Sequence, residues 1–118
     1  MPTDSDCLNA FVAIRRGEAE RLEALLDAHP DLPNWRLAGR ARGRTPLHVV
    51  TDWPGYFPKG PRIAGILLRA GAHVDARGED WTGETPLHWT ASSDDAAVAR
   101  VLIAAGADIE APDGSIAR

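Results

Sequence analysis

Apolar residues recur at helical spacing in three stretches of the chain: Leu22, Leu25 and Leu26; Ile63, Ile66, Leu67 and Ala70; Val98, Val101, Leu102 and Ala105. Each stretch predicts a helix with one apolar stripe. Gly71 and Gly106 follow the second and third stripes, where a left-handed residue stops a helix. Pro30 and Pro33 close the first. Upstream of the later stripes, Thr45 and Thr85 can each cap a further helix with the side-chain hydroxyl. Pro46 and Pro86 then occupy the first helical position, where no amide donor is needed. The pattern is one of paired helices. No pair can bury its stripe alone, so neighbours must stack, and about three are needed for stability.

The pairs also repeat as sequence. Thr-Pro-Leu-His stands at Thr45–His48 and again at Thr85–His88. Each copy leads through an apolar stretch to Gly-Ala, at Gly71–Ala72 and Gly106–Ala107, and then to a β-branched residue, Val74 or Ile109. This order resembles the ankyrin repeat family, whose unit is a β-hairpin followed by two antiparallel helices. Thr85 to Gly106 matches the family spacing without a gap, whereas Thr45 to Gly71 is about five residues longer. The additional residues fall in Trp53–Pro61, at the expected turn between two helices, and the hairpin between Gly71 and Thr85 is about two residues longer than usual. Leu8–His29 fits a degenerate first repeat, with Gly17 as its helix-turn glycine.

The resemblance covers residues 5–113 and implies a mostly α fold: an α-solenoid of stacked helix-turn-helix units joined by β-hairpin loops. A single domain over 1–118 is expected, with repeats at 5–36, 40–76 and 80–113, and with 114–118 as the start of a further repeat or a tail. No polar closing helix follows the last stripe, so a fragment of a longer array is the expectation.

Composition narrows the setting. With 118 residues, 44% hydrophobic and 25% charged, the chain suits one folded core that buries roughly two-thirds of its unfolded surface. No run of about 18 apolar residues is present to span a membrane as a helix. Cys7 has no partner for an internal disulfide and the N-terminus lacks a basic region followed by an apolar stretch, so an intracellular, cytoplasmic location is expected. The net charge of −4 gives the chain no overall attraction for nucleic acid or anionic lipid. Locally the balance differs. Arg36, Arg40, Arg42 and Arg44 carry +4 without an intervening acid, while Glu79–Asp80, Asp94–Asp95 and Asp108–Asp113 are acidic. The basic run reads either as a solvated hairpin or as a site for an acidic partner, and is too short to favour nucleic acid.

Residues with chemical potential do not assemble into a catalytic set. His48 and His88 hold equivalent places in two repeats, where the family hydrogen-bonds histidine to the neighbouring hairpin. That separation is too wide for a shared zinc. His29 and His73 have no second ligand at metal spacing, so neither a metal nor a cofactor is expected. Cys7 reads as a half-buried packing residue. The pairs Asp94–Asp95 and Glu79–Asp80 read as solvated carboxylates, and Gly55 and Gly60 lack the lysine and hydroxyl of a phosphate loop.

The resemblance implies contact through hairpin tips and the end of each first helix, along a concave groove. Carried over by position, that strip holds Ala41, Arg42, Arg44, Asp52 and Trp53 in the second unit and Trp81, Thr82, Glu84, Ser92 and Ser93 in the third. Arg15 and Arg16 extend it into the first. Tryptophan and arginine are enriched at binding hot spots, which favours an interface, with local packing the alternative for Trp53 and Trp81. Trp89 is expected to be partly buried. Tyr56 and Phe57, on a segment stiffened by Pro54, Pro58 and Pro61, either fold back over an apolar patch, the favoured outcome, or project as a binding finger. A monomeric, non-catalytic protein–protein interaction module is therefore expected. The rivals are a small-ligand or enzymatic pocket walled by Trp53, Tyr56 and Phe57, and a purely structural segment of a longer array.

Overall fold

The structure is a computed structural model that describes residues 1–78 and 83–109. Trp81 and Thr82 of the expected contact strip, and the Glu79–Asp80 pair, lie outside the described residues. Among the described residues, six α-helices form three antiparallel pairs: α1 (Asp4–Arg16) with α2 (Ala19–Ala28), α3 (Pro46–Thr51) with α4 (Gly60–Arg69), and α5 (Pro86–Ser93) with α6 (Ala96–Ala104).

Each first helix starts on a threonine. Thr45 Oγ1 accepts from His48 N at 3.3 Å and Thr85 Oγ1 from His88 N at 3.4 Å, with a proline at the first helical position in both. Thr3 does the same for α1, in a reciprocal box: its hydroxyl accepts from Asp6 N, and Asp6 Oδ2 accepts from Thr3 N at 2.8 Å. That amide holds the Asp6 carboxyl below its ordinary pKa. Gly71 and Gly106 follow α4 and α6 at positive φ, as their positions predict.

The pairs stack side by side, α1 on α3 on α5 and α2 on α4 on α6, over a long dimension of 40 Å. Ile14, Leu22, Leu47, Ile63, Leu67, Val98 and Leu102 are fully buried between them. Leu32 and Leu37 complete the core from the link between α2 and α3. Two expectations need correction here. Cys7 is not half-buried but 1% exposed, because it lies on the inner face of α1. The predicted stripes also run one residue too far, since Ala70 and Ala105 sit past the ends of α4 and α6 and are exposed.

Hairpins join the units without an assigned strand among the described residues. Leu37 N donates to Arg44 O at 2.9 Å, closing a loop around the 3₁₀ turn Gly39–Ala41, and Gly78 N donates to Glu84 O at 2.9 Å. Side chains then tie one link to the next. Asn34 donates to Gly71 O and accepts from His73 N, and Asp75 accepts from Asp108 N. His48 does this from inside the core: its Nε2 lies 2.9 Å from Glu84 O and its Nδ1 lies 2.7 Å from Thr45 Oγ1. A carbonyl can only accept, so Nε2 carries the proton and Nδ1 accepts from the threonine hydroxyl.

The insertion between α3 and α4 splits the two expected outcomes. Its backbone folds back, whereas two of its rings face outward. Phe57 lies half-buried beneath Arg15, whose guanidinium carbon is 4.4 Å from the ring centroid. Tyr56 N donates to Asp95 Oδ2 at 2.9 Å, and the Tyr56 hydroxyl donates to Asp94 O. Trp53 and Tyr56 nonetheless remain 75% and 63% exposed. The Asp94–Asp95 pair is thus not a pair of solvated carboxylates, since Asp95 is 1% exposed and also accepts from Val98 N to cap α6.

Pro58 closes the insertion against the turn between α1 and α2. Gly17 sits there at φ +71°, and a Cβ at this position would lie 2.3 Å from Pro58 O. Gly39 has a similar φ of +74° but open space around it. Alanine at either position costs about 1 kcal/mol for the left-handed backbone. Gly17→Ala must also displace the Pro58 backbone, so its total loss should exceed that of Gly39→Ala by about 1–3 kcal/mol. Urea unfolding of the two variants measures the difference, and equal losses would show that Pro58 is not held against the turn.

Candidate functional site

The short first helices and the hairpins enclose a groove across the second and third units, and Asp52 lies at its centre. Asp52 caps the C-terminal end of α3. Oδ1 accepts from Trp53 N at 2.9 Å. Oδ2 takes Arg15 Nη2 at 2.9 Å and Arg44 Nη1 at 3.1 Å, with all three side chains 21–28% exposed. One carboxylate therefore fastens a helix end of the first unit to the hairpin of the second, through charge-assisted bonds.

Aromatic faces support both arginines. Arg15 lies over Phe57 and also over Phe11, at 4.9 Å, while Arg40 approaches the same Phe11 ring at 5.2 Å. Burial pushes the Arg15 pKa below its ordinary value, and the Asp52 charge opposes that shift. Arg44 stands 5.6 Å from the Trp89 ring, which in turn meets His48 edge-on at 4.7 Å between centroids. A chain of stacked groups thus crosses from α1 to α5.

Two adjoining clefts make up the groove. The larger, about 380 Å³, lies among Arg42, Arg44, His48, Asp52, Gly78 and Trp89. The smaller, about 180 Å³, lies among Asp52, Trp53, Glu84, Trp89 and Ser92. Asp52 and Trp89 line both, so the clefts adjoin. A third, mainly apolar cleft of about 370 Å³ opens on the outer side of the last helix pair, with Leu87, Ala91, Ala99 and Ile103 in its wall.

The structure brings Arg42, Arg44, Asp52, Trp53, Glu84 and Ser92 to the groove, with Arg15 behind Asp52. Arg16 is exposed at the end of α1 and lines neither cleft. Ser93 and Ala41 are placed differently from the expected strip. Ser93 is 8% exposed and donates to Trp89 O at 3.0 Å, under Gly55, and Ala41 is fully buried beneath the hairpin. Trp89 is partly buried, as expected, and with Asp52 it lines both clefts. Its signal was its place one residue beyond Thr-Pro-Leu-His, on the helix face that leans toward the preceding hairpin. The rings of Trp53, Tyr56 and Phe57 do not converge on one pocket, because they meet the groove, Asp94 and Arg15 respectively.

Among the described residues, no group of three or more His, Cys, Asp and Glu side chains is placed to hold a metal, and no helix is long and apolar enough to cross a membrane. Stacked helix pairs with repeated threonine caps and interlocked hairpins define a helical-repeat solenoid. A family model for ankyrin repeats in three copies matches residues 10–113, and the chain belongs to the ankyrin repeat family. It is also 37% identical over 89 residues to protein fem-1 homolog A of Danio rerio. That match covers 68% of this chain and 14% of the relative, so the chain spans a small part of that protein's length. Ankyrin repeats are generally protein–protein interaction modules.

The Arg44–Asp52 pair is partly exposed, and Arg15 shares the same Asp52 oxygen. A double-mutant cycle on Arg44→Ala and Asp52→Ala should return a coupling of about 0.5–1 kcal/mol from urea unfolding. A coupling indistinguishable from zero would mean the pair does not hold the groove.

Proposed function

We propose that this chain is a non-catalytic interaction module that binds a segment of another protein along the groove between its second and third units. The carrying observation is the exposure of Trp53 beside Trp89, in a groove edged by Arg42 and Arg44. A ring 75% exposed on a backbone fastened at both sides is an anchor that loses little freedom on binding. Trp and Arg are the side chains that most often dominate binding energy when buried by a partner.

Arg42 is exposed at the hairpin tip, where it steers an acidic partner, and such a rim charge acts chiefly on the association rate. Arg44 is committed to Asp52 and Trp89, so its part is to shape the groove rather than to attract from a distance. Glu84 and Ser92 form the opposite edge. Trp81 and Thr82 remain proposed contacts from their repeat positions, and Arg16 a peripheral one. Ser93 contributes by supporting the insertion. The cytoplasm is the proposed setting.

Site-specific photocrosslinking tests the placement. A photoreactive side chain at Ser92, in the groove, is compared with one at Arg69, exposed on the opposite side of the helix pairs, in lysate of the source cells. Adducts from Ser92 that disappear in the Arg42→Ala/Trp53→Ala double variant, with no counterpart from Arg69, are expected. Adducts formed equally from both positions, or retained in the double variant, would overturn the groove as the binding surface.

A further inference from the structure

Resting on the groove as the binding surface, we infer that its smaller cleft is a slot for a proline, and that the bound segment crosses it in the extended polyproline conformation. The groove then reads a proline beside the acidic residue steered by Arg42. Two indoles, Trp53 and Trp89, line the cleft together with Asp52, Glu84 and Ser92. At about 180 Å³ it has room for one ring-sized side chain and not for a helix.

The hydrogen-bonding groups of the cleft are unevenly used. Its acceptors are engaged: Asp52 Oδ1 takes Trp53 N, Asp52 Oδ2 takes Arg15 and Arg44, and Glu84 O takes His48 Nε2 and Gly78 N. Its donors are not. The indole N–H of Trp53, that of Trp89 and the Ser92 hydroxyl donate to no group among the described residues. A segment entering the cleft therefore meets flat apolar faces and donors that want acceptors. An ordinary residue brings an amide N–H that needs an acceptor of its own, whereas proline brings a carbonyl and no N–H. The cleft thus selects proline by what the occupant lacks as well as by its ring.

Shape and freedom agree with this chemistry. A polyproline helix has no internal hydrogen bonds, so its carbonyls are open to donors, and being preformed it loses little entropy in an aromatic-lined groove. Trp53 is 75% exposed while the chain around it is fixed, by Trp53 N on Asp52, Gly55 N on Asp52 O and Tyr56 N on Asp95. Trp89 is held by Arg44 over its ring and by His48 edge-on. Both walls are therefore set before the segment arrives. The larger cleft adjoins with Arg42 on its wall, so an acidic residue of the same segment falls a short way from the proline.

A positional-scanning library of short peptides, acetylated and amidated so that no terminal charge contributes, is the test. The intact chain is the bait and the library is read at moderate salt. Peptides with proline at one fixed position and an acidic residue at a neighbouring position are expected to be enriched. Replacing that proline by alanine or leucine should weaken binding several-fold, up to about tenfold, whereas N-methylalanine, which also lacks the N–H, should keep part of the affinity. Trp53→Ala should abolish the proline preference and keep the acidic one, and Arg42→Ala should do the reverse. Trp53→Phe keeps a ring without the indole donor and should weaken the proline peptide several-fold. Circular dichroism verifies that each variant is folded. Enrichment with an acidic position but no proline, leucine equal to proline at that position, or a proline preference unchanged in Trp53→Ala would overturn the slot and leave the groove standing. The absence of any enriched peptide would instead count against the groove itself, and the slot with it.

Discussion

Asp95 is the side chain on which the arrangement of the three units turns. The insertion between α3 and α4 forms neither helix nor strand, so its amides must find partners elsewhere or stay in water. Asp95 supplies one from the neighbouring unit: Oδ2 takes Tyr56 N, and Oδ1 takes Val98 N at the start of α6. A carboxylate 1% exposed would be costly without such donors, and here one of the two bonds that satisfy it, that from Tyr56 N, also fastens two units together. With the chain pinned at Tyr56, Gly55 is pressed onto Ser93 on one side, and Phe57 and Pro58 reach Arg15 and Gly17 on the other. An insertion that could have been a loose loop becomes a brace across all three units. Trp53, just ahead of the pinned residues, is left standing at the edge of the groove.

The arginine run behaves differently from its formal charge. Of the residues between Arg36 and Arg44, Arg44 is bound to Asp52 and stacked on Trp89, and Arg40 approaches Phe11. Arg15 shares Asp52 with Arg44 while covering Phe11 and Phe57. Much of the positive charge at the start of the array is thus turned inward to hold rings and one carboxylate in place. Guanidinium suits this use, because its planar fork can meet a carboxylate at its edge while its face covers a ring. Arg40 and Arg42 are the exposed arginines of this run. The positive field at the surface is therefore local to the hairpin.

The fold was largely legible because its signals are local. A threonine followed by proline marks a helix start, and glycine after an apolar stripe marks a stop; all four such positions behave as their sequence says. The Thr3 cap is equally local, as a Thr-x-x-Asp box, but it stands outside the repeated Thr-Pro-Leu-His motif. The groove was half legible. Repeat position brought Arg42, Arg44, Asp52, Trp53, Glu84 and Ser92 to one surface, yet it could not say which of them would be spent on one another. The Arg15–Asp52 bond joins residues 37 apart in the chain, and the Tyr56–Asp95 bond residues 39 apart. Neither spacing is a helical or strand period, and each depends on where the insertion lands. Ser93 was misplaced for the same reason: Gly55 packs against it, and Gly55 belongs to the insertion, whose course the repeat pattern does not prescribe.

The two copies of Thr-Pro-Leu-His show how far a motif determines its own environment. His48 and His88 both engage the threonine that caps their helix, through Nδ1, at 2.7 and 3.2 Å. His48 is nevertheless fully buried, while His88 is only half-buried. The difference comes from the following unit, which lays Glu84 O against Nε2 of His48 and Trp89 against its ring. In a stacked array each unit is completed by its neighbour, so stability is a sum of units and of the interfaces between them. The groove follows the same rule. Its walls come from the hairpin and helix end of the second unit and from the hairpin and helix of the third, with a brace from the first. A substitution at the interface of two units therefore acts on fold and groove together, whereas one at Trp53 or Arg42, outside the interfaces, acts on the groove alone.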